Sequence, residues 1–218
     1  MEISCLNHPH PKGCVKCINE ALPLIEGDYT IMMDSDIILP PNWQNDLIYS
    51  FRDLDNVGAI GSLLLYPQSD GIQNCGLIFA ERLIKHQYFN NRTEFLSLPQ
   101  YLRVQSTVFA FCAIPNEVIN SVGLLDDSFF NGNEDVDYQL RIQEQGYDIF
   151  INTSIRIYHW EKSNGVHRIY NQRNNLTTLW KKHGSFIKND LWYVLKQQLE
   201  KQLTDDNYIV LDLSESRI

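Results

Sequence analysis

No stretch of this 218-residue chain approaches the ~18 to 20 consecutive apolar residues of a membrane span. The best candidates, Val57 to Tyr66 and Val108 to Ile114, are strand-sized. The opening residues carry neither the basic start nor the apolar core of an export signal. The cytoplasm is therefore the expected compartment, and peripheral contact with the inner face of the membrane is compatible with it. Basic residues are scarce, 18 against 27 acidic for a net charge of -9, and no Lys/Arg stripe runs through the sequence. Nucleic acid is not expected as a partner, and an anionic substrate would need a metal. Internal repeats, low-complexity tracts and Pro/Gly/Ser linkers are also missing. Cysteine is limited to five residues, an odd count that reads as reduced thiols rather than a disulfide framework. A domain of this size buries roughly 70% of its unfolded surface and needs no such staples.

One cysteine cluster allows two readings. Cys5, His8, His10, Cys14 and Cys17 lie close together, and Cys5, His8, Cys14 and Cys17 have the chemistry of a zinc hairpin. Alternatively, Cys14 and Cys17 precede Ile18, Ala21 and Leu22 at helical spacing, as buried thiols on an amphipathic helix would.

The pattern predicts a short strand near Glu2 to Leu6, a helix from about Gly13 to Leu24 and a buried strand over Asp28 to Met33. Trp43, Leu47, Phe51 and Leu54 form the apolar stripe of a surface helix entered through Asn42 as cap. Strands follow at Val57 to Tyr66 and Leu77 to Ala80, and then a long irregular segment reaches about Val104. The strand Val108 to Ile114 leads through Pro115 into a short helix ending near Gly123. A helix runs from Glu134 to Gln145, followed by two extended runs, Tyr147 to Asn152 and Ile155 to Trp160. Two helices, around 168–183 and 190–203, close the reading. Trp192, Leu195 and Leu199 mark the packed face of the second, and Tyr208 to Leu213 reads as a strand. Alternating strands and helices suggest an α/β sheet.

Three Asp-x-Asp patterns occur, so context must choose among them. Asp53 and Asp55 sit at the polar end of a helix and read as a solvated face. Asp34 and Asp36 directly follow the apolar strand YTIMM, and α/β sheets bind ligands outside the carboxyl ends of their strands. Two carboxylates there can meet one hard divalent cation, leaving its other positions to water and substrate phosphates. The turn Asn131-Gly-Asn133 places Glu134 and Asp135 in the first turn of a helix, where the dipole favours ionised carboxylates. His159 ends the alternating run SIRIYHW beside Trp160.

These residues form an ordered set: GCVKCINEAL, GDYTIMMDSD, VGAIGSLLLYP with IQNCGLIF, VGLLDDSFF with NEDVDYQLR and GYDIFIN, then IYHW and YNQRNNL. The set, from about Lys12 to Gly184, resembles the family 2 glycosyltransferases with the GT-A fold, particularly bacterial enzymes that build surface polysaccharides. The resemblance implies a mixed, mostly parallel sheet flanked by helices over residues 1–185, with 186–218 as a helical tail and the possible start of a further element. It implies an enzyme that moves a sugar from a nucleoside-diphosphate sugar, a UDP-sugar first of all, to a hydroxyl of a saccharide or lipid-linked saccharide, with inversion.

On that resemblance Asp34, Asp36 and His159 would hold Mn²⁺ or Mg²⁺, with the imidazole tilting the choice toward manganese. Asp135 would be the general base and Glu134 would orient the acceptor or the base. Ser35, Lys16, Asn19, Asn171 and Arg173 would face the donor, and Trp160 and Asn133 the acceptor. The strand, helix and strand that normally precede the region of Glu2 in this family cannot be placed in MEISCLNHPHPK. The expectation is a domain incomplete at its N-terminus, completed by an upstream segment or a partner chain. The alternative is a non-catalytic glycosyltransferase-like module that binds a partner chain or a saccharide.

Overall fold

The computed structural model describes residues 5–93, 97–160 and 166–205. A seven-stranded sheet carries the fold. Its main path is ordered β1 (Tyr29–Met33), β8 (Phe111–Pro115), β3 (Val57–Leu65), β9 (Asp148–His159) and β2 (Ile37–Ile38). To this path β3 adds β4 (Ile72–Asn74) and β9 adds β7 (Tyr101–Val104). β5 (Leu77–Ala80) and β6 (Leu83–His86) form a separate hairpin. The central strand β3 is buried along nearly its whole length, which explains why its sequence reads as a continuous apolar run rather than an alternation.

The helices are α1 (Cys14–Ala21), α2 (Trp43–Asp53), α3 (Asn116–Val122), α4 (Glu134–Glu144), α5 (Val166–His183) and α6 (Leu191–Asp205). On one face of the sheet Val15, Met32, Cys112, Val118, Tyr138 and Ile142 pack α1, α3 and α4. On the other face Leu47 of α2 meets Ile60, Leu64, Phe111 and Ile157. Each such fully buried side chain contributes roughly 1.5–3 kcal/mol, so the core holds without crosslinks. All five cysteines are free thiols. Leu179 of α5 joins Phe79, Val136 and Leu140, which ties the hairpin, α4 and α5 together.

The α/β class holds, but the sheet is not mostly parallel. Among the described strands only β3 and β9 pair in parallel; every other pair is antiparallel. The stretch between β3 and β8 supplies short strands instead of helices, and antiparallel neighbours need no helical crossover. The strand expected at Leu77 to Ala80 is β5, and the segment after it, expected to be irregular as far as about Val104, contains β6 and β7. The two extended runs after α4 are one strand, β9, whose register against β3 shifts between Asn152 and Arg156. Asn42 precedes α2 in a left-handed conformation (φ 62°) with no side-chain cap bond. Its carbonyl accepts from Asn45 N at 2.9 Å instead.

Of the strand expected near Glu2 to Leu6, residues 2–4 lie outside the described residues, and Cys5 and Leu6 are not extended into a strand. Tyr208 to Leu213 also lies outside them. The start of the C-terminal segment is stitched to the domain: Asp190 Oδ1 accepts from Phe79 N at 2.8 Å, and Gln105 Nε2 donates to Lys188 O at 2.8 Å. Among the described side chains of α6 the buried positions are Leu191 and Gln198, whereas Trp192 is 66% exposed. Of the expected packed face, Trp192 is thus turned to solvent and Leu195 is half-buried, while the Leu199 side chain lies outside the described residues. No described helix is long and apolar enough to cross a membrane.

Candidate functional site

β1 delivers Asp34 to the edge of the sheet, where its backbone N–H donates to Ala110 O at 3.1 Å. The chain then turns through Ser35 and Asp36 into the two-residue strand β2, which pairs Ile37 with His159. Trp160 N donates to Asp36 O at 3.0 Å and closes the ladder. This short antiparallel pairing sews the DSD turn to the end of β9.

The side chains follow the backbone. His159 Nε2 lies 3.2 Å from Asp36 Oδ1 and 3.5 Å from Asp34 Oδ2. The three ligand atoms lie within 4.8 Å of one another, and among the described residues no other group of His, Cys, Asp and Glu does so. His159 is buried, Asp36 half-buried and Asp34 exposed, so the group has one open side. Two carboxylate oxygens and one imidazole nitrogen suit a manganese-type or magnesium-type cation that keeps positions for other oxygens. The second ring nitrogen, Nδ1, lies 2.6 Å from Gln73 Oε1.

The acidic helix start is built by three successive left-handed residues, Asn131 (φ 53°), Gly132 (φ 148°) and Asn133 (φ 66°). Asparagine and glycine tolerate that conformation, which accounts for NGN at this position. Glu134 accepts from Gly132 N, and Asp135 Oδ1 accepts from Val136 N at 2.8 Å. Asn133 makes no side-chain cap bond, and its Nδ2 is buried with no hydrogen-bond partner among the described residues. Below the helix start, the buried Gln139 clamps Thr107: Thr107 N donates to Oε1 at 2.9 Å and Nε2 donates to Thr107 O at 2.7 Å.

The two acidic groups share one neighbour. Cys14, first residue of α1, has its thiol pushed up to about 11 by desolvation, then by Glu134, Asp34 and Asp135. In β8 the Cys112 thiol is raised by burial and then by Asp135. The start of α1 thus lies within electrostatic reach of both the DSD turn and the start of α4. Gly13 is favoured there by its left-handed conformation (φ 86°), and a Cβ would also lie 3.1 Å from the Phe130 ring.

The other expected residues divide. Ser35, Lys16 and Arg173 are exposed and Asn171 is half-buried. Trp160 is exposed and fixed through its backbone to Asp36. Asn19 is turned onto the backbone, donating to Leu125 O at 2.9 Å and accepting from Leu125 N at 2.8 Å, which fastens α1 to the loop before α4. The cysteines and histidines near the N-terminus are not gathered into a ligand group; His8 Nε2 lies 3.1 Å from Glu20 Oε2, and Cys14 is exposed at the start of α1.

Three residues that sequence reasoning passed over support the site. Gln73 holds His159. Asn175 of α5 is buried and donates to Phe130 O at 3.0 Å and Gly132 O at 2.8 Å, gripping the NGN turn. Its place four residues beyond Asn171, on the same helix face, is too weak a signal to single it out. Asp137 is wholly buried within reach of Arg141 Nε (3.0 Å), His183 Nε2 (2.9 Å) and Lys182. Burial alone would raise its carboxyl, but His183, Lys182 and Arg141 outweigh that and hold it below the ordinary range.

The profile of the family described as Glycosyl transferase family 2 matches residues 2–112, about half of the chain. A curated relative, the O-antigen biosynthesis protein RfbC of Myxococcus xanthus, is 26% identical over 165 residues, covering 72% of this chain. The chain spans 13% of that relative's length. Among solved structures, GalNAc-T7 with UDP, GalNAc and Mn²⁺ superimposes with a TM-score of 0.56 at 13% identity, over 93% of this chain and 46% of that one. The likeness is one of fold.

Proposed function

The chain belongs to glycosyl transferase family 2, and from that membership we propose that it carries the catalytic centre of a metal-dependent, inverting glycosyltransferase. The donor is a nucleoside-diphosphate sugar, a UDP-sugar first of all, and the acceptor a hydroxyl of a saccharide in cell-surface polysaccharide assembly. The observation that carries this reading is the convergence of Asp34, Asp36 and His159 on one cation-sized point. A fold shared with a glycosyltransferase solved with UDP and Mn²⁺ supports it, and so does a relative named for O-antigen biosynthesis.

On this reading Asp36 and His159 hold the cation from the buried side and Asp34 from the open side. The donor set accepts manganese or magnesium, with the imidazole favouring manganese. When bound, the ion neutralises charge on the departing nucleoside diphosphate. Ser35, Lys16, Asn171 and Arg173 line the approach of the donor.

Asp135 takes the proton from the acceptor hydroxyl as its oxygen attacks the anomeric carbon. One base on the face opposite the leaving group is enough for inversion, because the leaving diphosphate needs no protonation by a second carboxylate. Glu134 is held by Gly132 N and orients the acceptor or the base. Trp160 and Asn133 flank the acceptor side.

Mn²⁺-dependent UDP binding and sugar transfer by the chain test the reading. Binding with metal and not without it is the expected result; no nucleotide binding in the presence of Mn²⁺ overturns it.

A further inference from the structure

We propose that Gln73 is a positioning residue that fixes His159 in the tautomer whose Nε2 lone pair faces Asp34 and Asp36, and thereby sets the affinity of that site for a divalent cation. The proposal rests on the metal reading of the site and adds to it a residue outside the ligand group.

The orientation of the Gln73 amide fixes which ring nitrogen carries the hydrogen. Its Nε2 points at the main-chain oxygen of His159, 3.5 Å away, and a carbonyl oxygen can only accept. Reversing the amide would set two acceptors against each other. Oε1 therefore faces the ring, at 2.6 Å from Nδ1, and Nδ1 must carry the hydrogen. In the neutral ring Nε2 is then the acceptor, the form that can ligate a cation.

Without Gln73 the balance reverses. Asp36 Oδ1 and Asp34 Oδ2 lie 3.2 Å and 3.5 Å from Nε2, and both carboxylates attract a proton onto that atom. A ring protonated at Nε2 presents hydrogen where a cation should sit. Gln73 is the competing acceptor on the far side of the ring.

Gln73 is itself held in place. It is 3% exposed, and it lies in β4, whose neighbouring residues pair with Leu64 and Leu65 of β3. Its carbonyl accepts from His86 Nδ1 at 2.9 Å. Ile72 exchanges backbone bonds with the loop, donating to Asn91 O at 2.8 Å and accepting from Asn90 N at 2.8 Å. Acceptors that bond the far ring nitrogen in this way orient metal-binding histidines, and their loss typically costs about 10–100-fold in metal affinity.

The test compares wild type, Gln73→Met and Gln73→Glu by electron paramagnetic resonance titration of Mn²⁺ in the presence of UDP, with melting curves to confirm folding. Gln73→Met, similar in length and without a strong acceptor, should bind Mn²⁺ about 10–100-fold more weakly. Gln73→Glu, which keeps the acceptor, should bind at least as tightly as wild type. Equal affinity for Gln73→Met and wild type overturns the proposal.

A second readout needs neither metal nor activity: NMR of the His159 ring nitrogens in metal-free wild type, read where the spectrum shows a single ring proton. A protonated Nδ1 with a bare Nε2 is expected, and a protonated Nε2 overturns the proposal even if Gln73→Met fails to fold. Wild type that binds no Mn²⁺ with UDP overturns the function proposed above, while the ring-nitrogen pattern still decides the part played by Gln73.

Discussion

His183 Nε2 lies 2.9 Å from Asp137 Oδ1, and the two side chains are 4% and 0% exposed. The pair clasps the end of α5 to the first turn of α4, directly behind Glu134 and Asp135. Lys182 and Arg141 complete the shell around the carboxylate, and Glu144 meets the other ring nitrogen of His183 at 3.0 Å.

The clasp makes stability pH-dependent from both sides. Burial lowers the His183 pKa, but Asp137 and Glu144 outweigh it and raise the value above the ordinary 6.5. Its contribution is therefore full below ~6.5 and is lost as pH rises through the raised folded value. Asp137 is held below 3.8, so its contribution is full above that value and is lost as pH falls through the lowered folded one. In urea titrations His183→Gln should be more destabilising at about pH 6 than at about pH 9. Asp137→Ala, which removes the buried carboxylate on which His183, Lys182 and Arg141 converge, should cost about 3–5 kcal/mol near neutrality.

Binding and turnover should separate between the two acidic groups. Asp36→Ala is expected to abolish Mn²⁺-dependent UDP binding, because it removes a ligand from the half-buried side. Asp135→Asn should leave that binding unchanged and lower sugar transfer by about 10²–10⁴-fold, the usual contribution of a positioned base. Calorimetry with Mn²⁺ and UDP beside a transfer assay reads both.

Asn175→Ala removes two donors from the carbonyls of Phe130 and Gly132. Each buried acceptor left unsatisfied costs about 1–3 kcal/mol. The strained NGN turn should loosen, so kcat is expected to fall while Mn²⁺–UDP affinity holds. Equal losses in both would show that the turn also supports the DSD side.

Gly58→Ala probes how tightly α4 lies on the sheet. A Cβ there would fall 2.3 Å from Ile142 Cγ2 and 2.7 Å from Tyr147 Cβ. Neither neighbour is a flexible chain end, so α4 must shift at a cost of about 1–3 kcal/mol. The expected signature is a lower melting temperature together with reduced transfer, since α4 carries the acid pair.

Asp34, Asp36, Glu134, Asp135 and His159 were readable because each ends or begins an element with a strong local pattern: an apolar strand, an NGN turn, an alternating run. The helices were readable from their periodicity. Gln73, Asn175 and Asp137 were not, since a glutamine in IQN, an asparagine in RNN and a third acid in NEDVD acquire meaning only from partners far along the chain. Strand direction was likewise out of reach: alternation of elements suggested parallel neighbours, and the pairing partners decided otherwise.

By itself, then, the sequence determined the family resemblance, the main elements and the chemistry available at their ends, because hydrophobic period, turn residues and helix-start charges act over a few residues. Tertiary structure decided that β2 pairs with the end of β9 and so brings His159 to the DSD turn. It also decided that Asn175 grips NGN and that Asp137 is buried among cations. Those are contacts between distant segments, fixed by how the sheet and helices pack, and no local pattern encodes them.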